Sequence, residues 1–201
     1  MTYARTVGIP FIEGDKVNFI YNGVANSSAI AGDFNGWDPA ETKMTNMSGT
    51  YFFFKTMIFE LNAQLDYKFI INNSNWILDP ENPNHINGGF GPNSELAMPE
   101  YIQPWEIKFN PSIQHGTPIR SKFYSKIMNR DYSVIVYLPP GYDSLASIDY
   151  PSAYFHDGRD YVALGSSLNV IDNLIDSNKI EKLISVFVSP TNRTEEYAGE
   201  K

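Results

Sequence analysis

The sequence predicts two fold classes in series: an all-β sandwich over residues 1–103 and an α/β unit over residues 119–201, with a linker at 104–118. Two observations carry this. Up to residue 103, short apolar runs are punctuated by turn signals, the pattern of a β-sandwich. Beyond residue 119, two near-continuous apolar runs flank a helical pattern, as in parallel strands buried on both faces.

In the first half, Val17, Phe19 and Tyr21 alternate with Asn18 and Ile20 as in a strand packed on one face, and Asn22-Gly23 signals a tight turn. Ser28 to Gly32 reads as a strand, and Asp33 to Pro39 as a loop with Asn35-Gly36 at its tip. Thr50 to Ile58 is a long β-rich run carrying Tyr51, Phe52, Phe53 and Phe54. Asp66 to Ile71 and Trp76 to Leu78 read as a hairpin around Asn72-Asn73-Ser74. From Asp79 to Pro92 turn formers dominate, so irregular structure is expected, with Glu95 to Met98 as a last strand.

In the second half, Phe123 to Ile127 and Tyr132 to Leu138 read as strands around Met128-Asn-Arg-Asp131. Ala153-Tyr154-Phe155 is a short buried strand that stops at a glycine-containing turn, His156-Asp157-Gly158. A helix is expected from Ser166, with Leu168, Ile171, Leu174 and Ile175 on one face, Ser166 or Ser167 as N-cap and Asn178 as stop. Leu183 to Val188 is the last strand, and a loop runs to Lys201.

The formal charge of −8 argues against a nucleic-acid or anionic-membrane partner, because both need a basic footprint. No cysteine is present to form a disulfide, a thiolate nucleophile or a zinc ligand. His85 and His115 stand alone without ligand spacing, so no metal is expected, and no cofactor motif occurs. Met1 to Arg5 lacks the apolar run of a signal peptide, and no stretch is long enough to span a bilayer.

Ala31-Gly-Asp-Phe-Asn-Gly-Trp-Asp-Pro39, Leu65-Asp-Tyr-Lys-Phe-Ile-Ile71, Trp76-Ile-Leu-Asp-Pro80 and Gly88-Gly-Phe-Gly-Pro-Asn-Ser-Glu-Leu96 resemble the glycogen-binding-type early-set domain (carbohydrate-binding module family 48). Its fold is an immunoglobulin-like sandwich. Val136 to Tyr142, Tyr154 to Tyr161, Val170 to Ile175 and Val186 to Gly199 resemble the first part of an enterochelin-esterase-like α/β-hydrolase. That resemblance implies a serine carboxylic-ester hydrolase acting on siderophore lactones or on acyl groups of polysaccharides, and an extracytoplasmic setting. Such enzymes place the nucleophile in a G-x-S-x-G elbow. This sequence has none, and its Gly165-Ser166-Ser167 falls at the helix instead. The expectation is therefore the N-terminal portion of such an esterase, with nucleophile, acid and base beyond residue 201. The alternatives are a non-catalytic glycan-binding module and a structural domain that dimerises.

The same resemblance implies the candidate site residues. Gly158, with Asp157 and Arg159 beside it, aligns with the turn that offers backbone N–H groups to an oxyanion, and glycine tolerates positive φ there. His156 is read as shaping the turn through bonds to nearby backbone rather than as a base, and Asp157 and Asp160 as solvated. Arg193, Glu195, Glu196 and Tyr197 match a family segment facing the site, either contacting substrate or ion-pairing within their loop. Trp37, Lys68, Trp76 and Asn93 fall on the family's glycan-contacting positions, although core or interface roles are the favoured reading of the two tryptophans. The partners so implied are a small-molecule or polysaccharide ester, a glycan, or a second copy of the chain.

Overall fold

The computed structural model describes residues 8–145 and 149–198. The Met1–Arg5 reading and the end of the last loop, from Gly199, lie outside these residues. The chain divides into two compact units, Met1–Gln103 and Pro104–Lys201.

The described strands of the first unit are β1 (Phe11–Glu13), β2 (Lys16–Asn22), β3 (Ser28–Gly32), β4 (Thr45–Asn46), β5 (Phe52–Ile58), β6 (Gln64–Ile71), β7 (Asn75–Ile77), β8 (His85–Gly88) and β9 (Gly91–Ala97). One sheet runs β1-β2-β5-β4 and the other β3-β6-β9-β8, with β7 paired to β6. Strand alternation explains the core: Val17, Phe19 and Phe53 from the first sheet bury against Ile30, Tyr67, Phe69, Ile71 and Leu96 from the second. Phe19 meets Tyr67 edge-on at 5.0 Å between centroids. Each such side chain contributes about 1.5–3 kcal/mol through burial.

A polar knot sits within this core. Tyr67 Oη donates to Asp79 Oδ2 at 2.7 Å, and Asn82 Nδ2 donates to Tyr67 Oη at 3.1 Å. The Asp79 amide is held by Ser94 Oγ at 2.8 Å. Burial pushes the Asp79 carboxyl above the usual carboxylate range, only partly offset by hydrogen bonds from Glu81 N and Tyr67. Burial, then the Asp79 charge, raises the Tyr67 hydroxyl.

Several local expectations change. Asn22-Gly23 closes no hairpin, because β2 and β3 lie in different sheets, and Gly23 N–H instead bonds Tyr51 O at 3.1 Å. Two-residue hairpin loops lie at Gly14-Asp15 and Gly89-Phe90, while β6 and β7 are joined by Asn72-Asn73-Ser74, with Asn72 and Asn73 left-handed at φ 53° and 65°. The stretch after Asp79 is not wholly irregular: β8 pairs with β9 across Gly88 and Gly91.

In the second unit β10 (Thr117–Ser125) and β11 (Arg130–Leu138) form a long antiparallel hairpin. β12 (Ser152–Phe155), α1 (Gly158–Ala163), α2 (Ser167–Asp176) and β13 (Ile184–Ser189) follow. The sheet order is β10-β11-β13-β12; β13 runs antiparallel to β11 and parallel to β12. Thus β12–α1–α2–β13 is a parallel crossover. Ile135, Tyr137 and Phe187 on one sheet face pack with Ile171 and Ile175 of α2 and with Phe155. The other face carries Val136, Val186 and Tyr154 in register, with Tyr154 71% exposed. Burial on both faces is therefore not found among the described residues.

α1 was not anticipated. Gly158 begins a helix rather than sitting in a turn, and Ser166, left-handed at φ 51°, separates α1 from α2 without capping through its side chain. Ser167 Oγ donates to Tyr161 O at 2.7 Å. Residues 104–118, expected as a linker, are not free: Thr117 and Pro118 already belong to β10, and residues 106–108, 115 and 116 bond α2. Asn173 Nδ2 donates to Glu106 O and Lys108 O, each at 2.8 Å, and Asn169 Nδ2 to Ile107 O at 3.0 Å. His115 Nδ1 meets Asp172 Oδ2 at 2.8 Å, and its Nε2 meets Asn110 O at 3.0 Å.

Candidate functional site

The carboxyl ends of β12 and β13 lie side by side, with Phe155 opposite Phe187. In parallel sheets this is where ligands are met. Asp157 turns the chain out of β12 in the left-handed region, φ 54°. The positive φ expected at Gly158 thus falls one residue earlier. Glycine is needed at 158 for a different reason: a Cβ there would stand 2.4 Å from Phe187 C and 2.5 Å from Val188 N. Its absence lets α1 seat directly on β13.

The three amides of the expected oxyanion turn are unequal. Asp157 N–H donates to Tyr197 Oη at 3.1 Å, and Arg159 N–H donates to Ser189 Oγ at 3.0 Å. Among the described residues no acceptor faces the Gly158 N–H, although the residue is buried.

The segment after β13 closes on this turn. Arg193 Nε donates to both Asp157 carboxylate oxygens at 3.0 Å, and its guanidinium lies 5.8 Å from the Tyr197 ring. Glu196 Oε1 accepts from Thr191 N at 3.0 Å, Asn192 N at 3.2 Å and Arg130 at 3.4 Å. Glu196 therefore folds the loop that carries Arg193 and Tyr197. Glu195 reaches Arg130 only at 4.0 Å. Asp157 is ion-paired rather than simply solvated, whereas Asp160 stands 3.9 Å from Arg159. His156 is exposed and makes no hydrogen bond among the described residues, contrary to its expected turn-shaping bonds; it meets Tyr197 edge-on at 5.8 Å. Arg130 and Ser189 were missed, since a lone arginine in a hairpin and a serine at a strand end carry no sequence signal.

In the first unit, strand register puts Lys68 on the face of β6 opposite the core. Trp76 pairs with Ile70 on that same outer face and is 44% exposed. Trp37 packs there on Ala29, Ala31 and Ile70, with Nε1 donating to Asp33 Oδ1 at 3.0 Å. Asn93 Nδ2 donates to Asp66 Oδ2 at 3.1 Å, and Asp66 shares the outer face of β6 with Lys68. Neither tryptophan belongs to the core between the sheets.

Residues 125–200 match a family described as "Esterase: Putative esterase". The chain is similar to the enterobactin esterase FES of Shigella flexneri, crystallised in the presence of enterobactin. It is 18% identical with a TM-score of 0.64, covering 90% of this chain and 54% of that one. It is also similar to the ferric enterobactin esterase of Salmonella typhimurium, at 14% identity and TM-score 0.67, covering 91% and 55%. The fold is esterase-like. Among curated proteins, the uncharacterized protein YjcH of Bacillus subtilis (strain 168) is 32% identical over 75 residues, 37% of this chain and 30% of that one. The chain thus spans about half the length of the two solved esterases, covering 54% and 55% of them.

Proposed function

We propose that the chain forms one side of the active site of a serine carboxylic-ester hydrolase, of the siderophore-lactone or polysaccharide-acyl type. In this reading residues 1–103 are an early-set sandwich and residues 119–201 the first part of an α/β-hydrolase domain. The reading is carried by the turn at the end of β12. Two of its three amides are spent on Tyr197 and Ser189, and the Gly158 N–H is the one that bonds no acceptor among the described residues. Such a donor stabilises the charge that develops on an ester carbonyl oxygen, worth about 3 kcal/mol of barrier. The attacking serine and its base come from outside the described residues. His115 is committed to Asp172 and Asn110, and no hydroxyl bonds His156.

The test is hydrolysis of p-nitrophenyl acetate by these 201 residues and by the polypeptide read onward past Lys201. Turnover by the longer product alone, abolished by alanine at its attacking serine, is expected. Turnover by the 201 residues, or by neither, refutes the reading.

A second reading is a glycan-binding face. It is supported by the shared outer face of Trp37, Lys68 and Trp76, with Asn93 bonded to Asp66 there. Aromatic faces pack against pyranose C–H groups while polar groups read hydroxyls. Affinity electrophoresis on glycogen, amylose and xylan should retard the chain and release the Trp76→Ala variant. Equal, unretarded migration of both rules it out.

A further inference from the structure

A cavity of ≈ 210 Å³ opens where β13 parts from β11, its lining including Lys122, Asp131, Ser133, Ser189 and Thr191 beside Tyr132 and Pro190. Its position follows from register. Lys122 pairs with Ser133, and Ser133 with Ser189, so the three form one row across β10, β11 and β13. Two residues along β11 and β13 from this row stand Ile135 and Phe187, so the row shares the sheet face that carries the helices. Asp131, two residues before Ser133, lies on that face as well.

The charges in this cavity are unspent. Among the described residues neither Lys122 nor Asp131 has an ion-pair partner within 4.0 Å. They are diagonal neighbours across the β10–β11 ladder, where separations of about 7–8 Å are normal. A lysine side chain can cover that span, yet the two groups are not within 4.0 Å of each other, and one small molecule can touch both. The hydroxyls also have capacity left. Ser133 Oγ has no hydrogen-bond partner among the described residues, and Ser189 Oγ accepts from Arg159 N–H while keeping its own proton to donate. Thr191 Oγ1 donates to Asp131 O at 3.3 Å, which fixes the wall and leaves its lone pairs free.

We propose that this cavity binds a small zwitterion of the free α-amino-acid class. The ligand carboxylate sits on the Lys122 ammonium and the serine hydroxyls, and the ligand ammonium sits on the Asp131 carboxylate. Charge-assisted hydrogen bonds of both kinds are the strong ones. A simple anion would leave Asp131 unneutralised beside it, and a simple cation would face Lys122. Selectivity for a molecule carrying both charges arises from these two penalties. The volume lies below the roughly 300 Å³ at which drug-sized sites begin, so the ligand is small. The proposal stands apart from ester chemistry and survives its failure.

The test is a titration of the ¹⁵N-labelled chain with glycine, acetate and methylammonium, read at the Ser133, Ser189 and Thr191 amides. Glycine should give saturable shifts at these amides, and each half-ligand should bind at least about tenfold more weakly, a difference of about 1.4 kcal/mol. Lys122→Met and Asp131→Asn should each weaken glycine by at least about tenfold. Both side chains are exposed, and the dispersion of the remaining amides reports that the variants fold. The proposal is overturned if glycine gives no saturable shift at about 10 mM, well above the ~1 mM of weak complexes. It is equally overturned if acetate binds as tightly as glycine, or if Asp131→Asn binds glycine like the parent chain.

Discussion

Tyr67 Oη donates to Asp79 Oδ2 at 2.7 Å, and Asp79 is 1% exposed. A carboxyl held above its ordinary range binds its proton more tightly folded than unfolded. The stability it contributes is therefore full below the unfolded-state pKa of about 4 and is lost as pH rises toward the folded value. Asp79→Asn removes the titration at a pH-independent cost of about 1 kcal/mol for a hydrogen bond lost. Hydrogen exchange at the Phe69 and Leu96 amides should show the variant's deficit shrinking as pH rises above about 4. A constant deficit would mean that Asp79 does not titrate there.

His115→Ala should destabilise the second unit by about 2 kcal/mol, the loss of a hydrogen bond to the buried Asp172. The substitution leaves Asp172, 2% exposed, with only Tyr137 Oη and Gly116 N–H as donors among the described residues. Urea unfolding followed in that unit measures the loss, and a change within error of zero would show that the pair is incidental.

Ser185→Ala should stabilise the chain. Ser185 Oγ is buried without a partner among the described residues, and its desolvation costs about 1 kcal/mol or more. A lower midpoint in the variant would reveal a water bonded to that hydroxyl.

Gly158→Ala should cost about 3 kcal/mol, the upper end of overpacking, because the clash is with backbone atoms that cannot rotate away. Chemical denaturation checks this. Tolerance at 158 would require α1 to lift off β13.

Legibility in the sequence followed length and periodicity. β3 was readable to the residue because Ser28–Gly32 is bounded by turn formers, and β6 was readable from Asp66 because its inward residues alternate, its first two residues, Gln64 and Leu65, excepted. β8, His-Ile-Asn-Gly, has one apolar side chain and owes its conformation to the ladder with β9. α1 is only six residues long and lacks a full amphipathic repeat. The chain's exit from β12 at His156-Asp157-Gly158 was visible, but that Gly158 starts a helix and that Arg130 and Ser189 join the loop's clamp was not. Glu196, Arg130 and Thr191 are brought together by tertiary structure alone.

Anyone dividing this protein into pieces inherits a constraint from Asn169 and Asn173. An excision starting at residue 119 would remove the carbonyls of Glu106, Ile107 and Lys108 that those amides occupy, together with the His115 imidazole over Asp172. It would open the buried Asn173 amide, the half-buried Asn169 amide and the buried Asp172 carboxylate to water. The two compact units meet in sequence at the peptide between Gln103 and Pro104, which leaves all of those partners in one piece.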